Sequence, residues 1–381
     1  MYSEWTVKAK SICQSLLSGP WKNLSLDEIT VDPITTGRSN RLFICSRPLV
    51  TSLNGPKPSK SHEESIFEQL KDEYGDVKVV VRFYGSDYTG EGNRYKCVTD
   101  EEELEILAIL SSKGLSPRVL VPFTGGRIDE YVESIILPPN RLSQPTNLMI
   151  VAPKIAQYHS LQFRCQRDHD LVQIYRDNTE KACEKLETFD ESIFAGCSDN
   201  SLELFRKVKT FITQKLGFRI LSKMISTQHK RVFSHMDLIN SNLLFPHPHL
   251  PHNPDDLMII DVENSQNQFR GIDLGKFFCE LYLADETKKF SSFYDSDIHI
   301  FVDCYLNQWF KIASQFNGID PEIDNHEHLF LEMQLGILMA LTFVIPWNVL
   351  HPNFDSLDML QNSVSRIDLY THFCERWSQI L

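Results

Sequence analysis

The hydrophobic pattern of this chain changes its period near Ser134, and that change narrows the folds open to it more than any other feature. Ahead of Ser134, after a first helical run, apolar segments lie at Ile29 to Ile34, Arg41 to Cys45 and Val77 to Gly85, then in PRVLVPF and RIDEYVES. Each has the length of a strand and is bounded by turn residues. Among them, DEEELEILAILSSKG places Leu104, Leu107 and Leu110 at helical spacing behind an acidic first turn, and Gly114 stops it. Beyond Ser134 the pattern is mainly helical, broken by RVFSH and LMIID, which flank a polar segment from Met236 to Asn253. The expectation is an α+β chain of two lobes: residues 1–133 form a small antiparallel sheet lobe with one helix, and residues 134–381 a larger helical lobe.

A chain of 381 residues that is 42% hydrophobic can bury a full core, so it is globular rather than a tail. Its formal net charge of −13 argues against nucleic acid as a partner, because phosphate-backbone binding needs clustered Lys and Arg. The nine cysteines form no C-x-x-C pair and read as reduced thiols of a cytoplasmic protein. The N-terminal stretch mixes charges of both signs and lacks the layout of a secretory signal. Leu335 to Leu350, the longest uncharged run, contains Pro346 and is short for a bilayer, so it reads as a buried helix rather than a membrane span. The polar stretch from Arg47 to Gly75 reads as an exposed connection.

The residues with a chemical pattern are His235-Met236-Asp237, then Asn242, then an apolar strand ending in Asp261-Val262-Glu263. Phosphoryl transfer to an alcohol needs a carboxylate beside the attacking hydroxyl, oxygen ligands for Mg²⁺ on the phosphates, and a cation for the nucleotide. Asp237 fits the catalytic base, and Asn242 and Asp261 fit the metal ligands. H-x-D-x-x-x-x-N is loose by itself, and an ordinary Asp- and Asn-rich loop would also contain it. The order of parts adds weight: a Gly/Ser turn between strands, Arg82 on the third strand, an acidic helix, then the loop and the strand-borne Asp. Arg82 holds phosphates bidentately and has Glu103 as a candidate partner, while the alternative for Glu103 is a solvated acidic first turn.

With these residues in view, the chain resembles the choline/ethanolamine kinases from about Trp21 to about Phe373. The resemblance is carried by SGPWKNL, TGRSNRLF, VVVRFYG, GLSPRVL, GRIDEYVES, FSHMDLINSNLLF and MIIDVENSQNQFRGIDLGKFFCE. It implies a protein-kinase-like fold, ATP with Mg²⁺, phosphorylation of choline or ethanolamine for phospholipid synthesis, and, on resemblance alone, a homodimer. It places Ser39 and Asn40 in the phosphate loop, Arg82 on the phosphates, and Glu130 to Val132 at the adenine. Glu263 either supports the metal site or is structural, and Asp273 braces the catalytic loop.

On the acceptor side the resemblance implies Glu280 and Trp347, although a Trp on so apolar a helix would otherwise read as core. Departures thin the aromatic cage. Val344 stands where the family has a second Trp, with Phe343 beside it, and Asp285 stands where an aromatic is usual, leaving Tyr282 as the near substitute. Met236 replaces a usual Asn and Thr36 a usual Gly. Choline is the leading acceptor and ethanolamine the alternative; a catalytically silent kinase-fold protein is the reading from another class.

Overall fold

Val79, Val81 and Phe83 are buried on one face of a strand whose other face carries Val80, Arg82 and Tyr84, and this alternation sets the architecture of the first part of the chain. The computed structural model describes residues 2–35, 40–48, 77–85, 97–163, 165, 170–194, 200–246, 256–284 and 295–381. Ser39, Thr36, Asp285 and the connection expected from Arg47 to Gly75 lie outside these, apart from Arg47 and Pro48. The chain divides into a sheet unit, residues 1–96 and 104–134, and a helical unit, residues 97–103 and 135–381.

In the sheet unit, helix α1 (Tyr2–Leu16) precedes strands β1 (Thr30–Ile34), β2 (Asn40–Ser46) and β3 (Lys78–Tyr84). Helix α2 (Asp100–Ser112), whose residues 100–103 count with the helical unit, β4 (Val119–Phe123) and β5 (Gly126–Glu130) follow. The strands form an antiparallel sheet in the order β1-β2-β3-β5-β4. Ala9 and Cys13 of α1 join Phe43, Cys45, Val79, Val81, Phe83 and Ile128 in one core, so α1 covers the face opposite Arg82. Gly114, at φ 67, ends α2 in the left-handed conformation that suits glycine. β5 stops at Glu130, short of the full RIDEYVES run.

The helical unit is built from α3 (Pro145–His159), α4 (Leu171–Thr188), α5 (Ser201–Thr213), α6 (Phe218–Ser226), α7 (Arg270–Ala284), α8 (Asp295–Ala313), α9 (His326–Leu350) and α10 (Leu357–Arg376). Strand β6 (Arg231–Ser234) pairs antiparallel with β9 (Gln266–Phe269), and β7 (Leu243–Pro246) with β8 (Met258–Ile259). Residues 235–242 link the first pair to the second. LMIID contributes only two ladder residues, because Asp261 turns to φ 69.

Helices α7 and α9 meet through glycines. A Cβ on Gly336 would lie 1.7 Å from the Gly271 carbonyl oxygen, and one on Gly275 would lie 2.1 Å from the Gly336 carbonyl carbon. The axes therefore approach as only glycine allows. α9 is long and apolar enough to cross a membrane, but 78% of its most apolar window is buried within the protein, as a central helix would be. At the head of α7, buried Arg270 donates to Glu332 at 2.7 Å, to Asp324 at 2.7 Å and to the Ile323 carbonyl at 2.9 Å. This fixes the end of the helix from which the next polar residues project. The eight described cysteines are all free thiols.

Candidate active site

Asp273, Lys276 and Glu280 are spaced so that one face of α7 carries all three. Asp273 is fully buried and accepts three hydrogen bonds: from the His235 backbone N–H at 2.7 Å, the Met236 N–H at 2.8 Å and His159 Nε2 at 3.0 Å. His159 Nδ1 in turn accepts from the Tyr305 hydroxyl at 2.8 Å. Burial pushes the Asp273 carboxyl up, but these hydrogen bonds outweigh it and hold it below the ordinary range. Burial lowers His159, which stays neutral and leaves Asp273 as the charged partner.

The brace holds a strained turn. Met236 sits at φ 66, a left-handed conformation unfavourable for an unbranched L residue with no local polar contact to offer. An Asn, which this region tolerates, would lower that cost. His235 Nδ1 accepts from the Asp237 N–H at 3.2 Å and its Nε2 donates to the Ile260 carbonyl at 2.9 Å, so one imidazole ties the loop to the strand ending at Asp261. A second tie is Ile260 N–H to the Asn242 carbonyl at 3.0 Å. Asn242 Nδ2 donates to the Asp237 carbonyl at 2.9 Å, which turns its amide oxygen away from that bond.

These bonds gather Asp237, the candidate base, with the metal candidates Asn242 and Asp261. Burial pushes the Asp237 carboxyl above its ordinary range; Lys276 and His235 pull it back, and Asp261 and Glu280 add to the rise. Asp261, like Met236, is left-handed, at ψ 57, and Asp tolerates this region better than most residues. Glu263 is buried with its carbonyl taking the Cys97 N–H at 3.0 Å. Burial, with the Glu263 charge beside it, pushes the Cys97 thiol to about 11. That bond is made by the Glu263 backbone and bears on neither role expected of its side chain.

Glu280, which the sequence reading expects at the acceptor, accepts through Oε1 from Arg366 Nη2 at 2.8 Å and from Lys276 Nζ at 3.0 Å. Burial opposes ionisation, but the two cations hold Glu280 at about 2. Lys276 Nζ is also 4.0 Å from Asp237 Oδ1. Trp347 is 36% exposed, not core, with its ring 5.5 Å from that of His351. Phe343 stacks on Tyr175. Tyr282, two residues beyond Glu280, leaves α7 on another side; it stacks on Phe278 and donates to Asp297 at 3.3 Å, so its place is in the packing of α7 against α8.

In the sheet unit, Arg82 and Arg127 are cross-strand neighbours. Asp129 lies between them: Arg127 Nε is 2.9 Å from its Oδ1, and Arg82 Nε is 3.9 Å from its Oδ2. Asn40 Oδ1 accepts from the Gly85 N–H at 3.3 Å and pins the end of β2 to the residue after β3. Glu130 accepts from Arg118 Nε at 2.9 Å, and the Val132 carbonyl accepts from Ser134 Oγ at 3.1 Å. Glu103 is 1% exposed, so the solvated-turn alternative does not hold. Sequence reasoning missed Arg127, Lys276, Arg366 and His159. The spacing of Lys276 and Glu280 along α7 was the one signal that would have found a pair.

The fold has close relatives. A choline kinase from Cryptosporidium parvum is 19% identical, with a TM-score of 0.63, over 99% of this chain and 98% of its own. A Plasmodium vivax ethanolamine kinase is 17% identical, with a TM-score of 0.61, over 98% and 90%. The fold is that of the protein-kinase-like phosphotransferases. A human protein described as choline/ethanolamine kinase is 25% identical over 379 residues, 95% of this chain and 85% of the relative. Residues 31–376 match the sequence model of the family described as choline/ethanolamine kinase. The chain belongs to that family.

Proposed function

We propose that this protein is an ATP-dependent choline kinase, transferring the γ-phosphoryl group to the choline hydroxyl and feeding phospholipid synthesis. The observation that carries the reading is the Asp237–Asn242 pair, tied at 2.9 Å and held by the three-donor brace on Asp273. Asp237 takes the proton of the acceptor hydroxyl as its oxygen attacks phosphorus, and its raised pKa makes it a stronger base than a solvated carboxylate. The Lys276 ammonium close by favours loss of that proton afterwards.

Asn242 and Asp261 are the candidate Mg²⁺ ligands. Their donor set is all oxygen, the chemistry of a hard cation that takes few protein ligands and completes its shell with water and phosphate. Bound there, Mg²⁺ neutralises charge on the phosphates. The sheet lobe, residues 1–133, is assigned to the nucleotide. Arg82, whose Nε lies 3.9 Å from Asp129 Oδ2, is assigned to the phosphates, which a guanidinium holds bidentately. The stretch from Glu130 to Val132 is assigned to the adenine.

In the helical lobe, Glu280 and Trp347 receive the acceptor's cationic head. Ethanolamine is the second acceptor, since Glu280 already binds N–H donors and a primary ammonium offers three. The free thiols support a cytoplasmic location. The test is ADP release by purified protein with ATP and Mg²⁺, with choline and ethanolamine offered in parallel and phosphocholine identified as product. Turnover of neither acceptor by protein that binds ATP refutes the reading.

A further inference from the structure

The acceptor-side carboxylate is already occupied. Glu280 Oε1 accepts from both Arg366 Nη2 and Lys276 Nζ, at 2.8 and 3.0 Å, and the same Nζ stands 4.0 Å from Asp237 Oδ1. Two carboxylates and two cations make this cluster neutral before any substrate arrives. The remaining acidic neighbour of Asp237 is Asp261, assigned above to the metal. The two cations differ in freedom. Arg366 is 4% exposed and further tied to Asn362 Oδ1 at 3.1 Å and Cys279 Sγ at 3.5 Å, so it is built in. The Lys276 side chain is 21% exposed on a flexible stem and can leave. Its (i, i+4) spacing to Glu280 forms the pair from within α7, whatever the substrate.

We propose that Lys276 is a resident ammonium that competes with the acceptor's cationic head for Glu280 and Asp237, and so determines how tightly a quaternary ammonium binds. This rests on the reading that these two carboxylates face the acceptor. A trimethylammonium carries no N–H and cannot replace the hydrogen bond that Lys276 makes; it approaches Glu280 only by displacing Lys276 or by enduring its charge. A primary ammonium exchanges one N–H···O bond for another, so the competition weighs less on ethanolamine. Both side chains are partly buried, so bulk salt does not remove the effect.

The test compares the full-length parent with Lys276→Met, which keeps the stem and removes the charge, and with Lys276→Arg, which keeps the charge. Binding of choline, ethanolamine and 3,3-dimethylbutan-1-ol, the uncharged isostere of choline, is measured by calorimetry, alongside turnover with ATP and Mg²⁺. The expected result is choline binding at least tenfold tighter in Lys276→Met, a smaller gain for ethanolamine, no gain for the isostere, and near-parental choline binding in Lys276→Arg. Unchanged or weaker choline binding in Lys276→Met overturns the inference. An equal gain for choline and the isostere also overturns it, because that pattern reports space rather than charge. If Lys276→Met does not fold, Lys276→Gln, which keeps a hydrogen-bond donor to Glu280, serves with the same criteria. A parent that turns over choline while Lys276→Met binds it no better sinks the inference alone. A parent and a Lys276→Met variant that both neither bind nor phosphorylate choline or ethanolamine sink the functional reading and the inference with it.

Discussion

Replacing Asp273 by Asn keeps the shape of the side chain and removes one acceptor atom and the charge. The parent carboxylate serves Met236 N–H through Oδ1, and His235 N–H and His159 Nε2 through Oδ2. In Asp273→Asn the amide oxygen best takes the side with two donors, and the new NH₂ then opposes the Met236 N–H. Two buried donors are left without acceptors, and the charge-assisted character of the other bonds is lost, for a total of about 3 kcal/mol. Met236 is held at φ 66 against a local cost of its own, so the turn bearing Asp237 is where that loss is felt. The assay is amide hydrogen exchange of residues 235–242 together with steady-state turnover. Protection of this segment should fall about 100-fold, and kcat should fall on the order of 100-fold because the base is misplaced. The sign with pH follows from the depressed Asp273 pKa: the parent's extra protection is present above the ordinary carboxylate range and is lost as pH falls through the depressed folded value. Asp273→Asn has no such acid transition. Parental protection and parental kcat in the variant would refute the bracing argument.

Asp237→Ala should abolish turnover with ATP binding largely kept, whereas Asp261→Ala should also weaken Mg²⁺-dependent ATP binding; nucleotide titrations with and without Mg²⁺ separate the two. Trp347→Ala should raise KM for choline about tenfold or more, the scale of a cation–π contact, with KM for ATP unchanged; the reverse split would remove Trp347 from the acceptor site. Gly336→Ala puts a Cβ 1.7 Å from the Gly271 oxygen and forces α7 and α9 apart, at a cost of about 3 kcal/mol; a lower melting temperature checks it. Met236→Asn places a residue tolerant of the left-handed region at φ 66 and should raise the stability against urea by about 1 kcal/mol.

Much of the fold was legible because it is written in short-range pattern. The apolar run from Val77 to Gly85, the helical spacing of Leu104, Leu107 and Leu110, and Gly114 as a stop each depend on neighbours a few residues away. Where the pattern misled, a local bend intervened. RIDEYVES lost its second half because β5 ends at Glu130, and LMIID lost its end because Asp261 turns left-handed. Burial was harder to read than period. The acidic neighbours of Glu103 left a solvated turn as its alternative, yet it is buried, and the apolar neighbours of Trp347 left a core place as its alternative, yet it is exposed, because which side of a helix meets another element is decided by distant partners.

The candidate site divides in the same way. The sequence alone named Asp237, Asn242 and Asp261, since they lie within one loop and the strand after it, and their residue types and order carry the chemistry. It also placed Asp273 and Glu280 through the resemblance. Only the tertiary structure brought His159, Asp273 and Tyr305 together behind residues 235 and 236, set Arg366 on Glu280, and put Lys276 between Glu280 and Asp237. Apart from the (i, i+4) pair of Lys276 with Glu280, those contacts join residues far apart in the chain, and no local period encodes them. They exist because the α7–α9 glycine contact and the Arg270 ion pairs hold α7 in place, so that its polar face meets the loop.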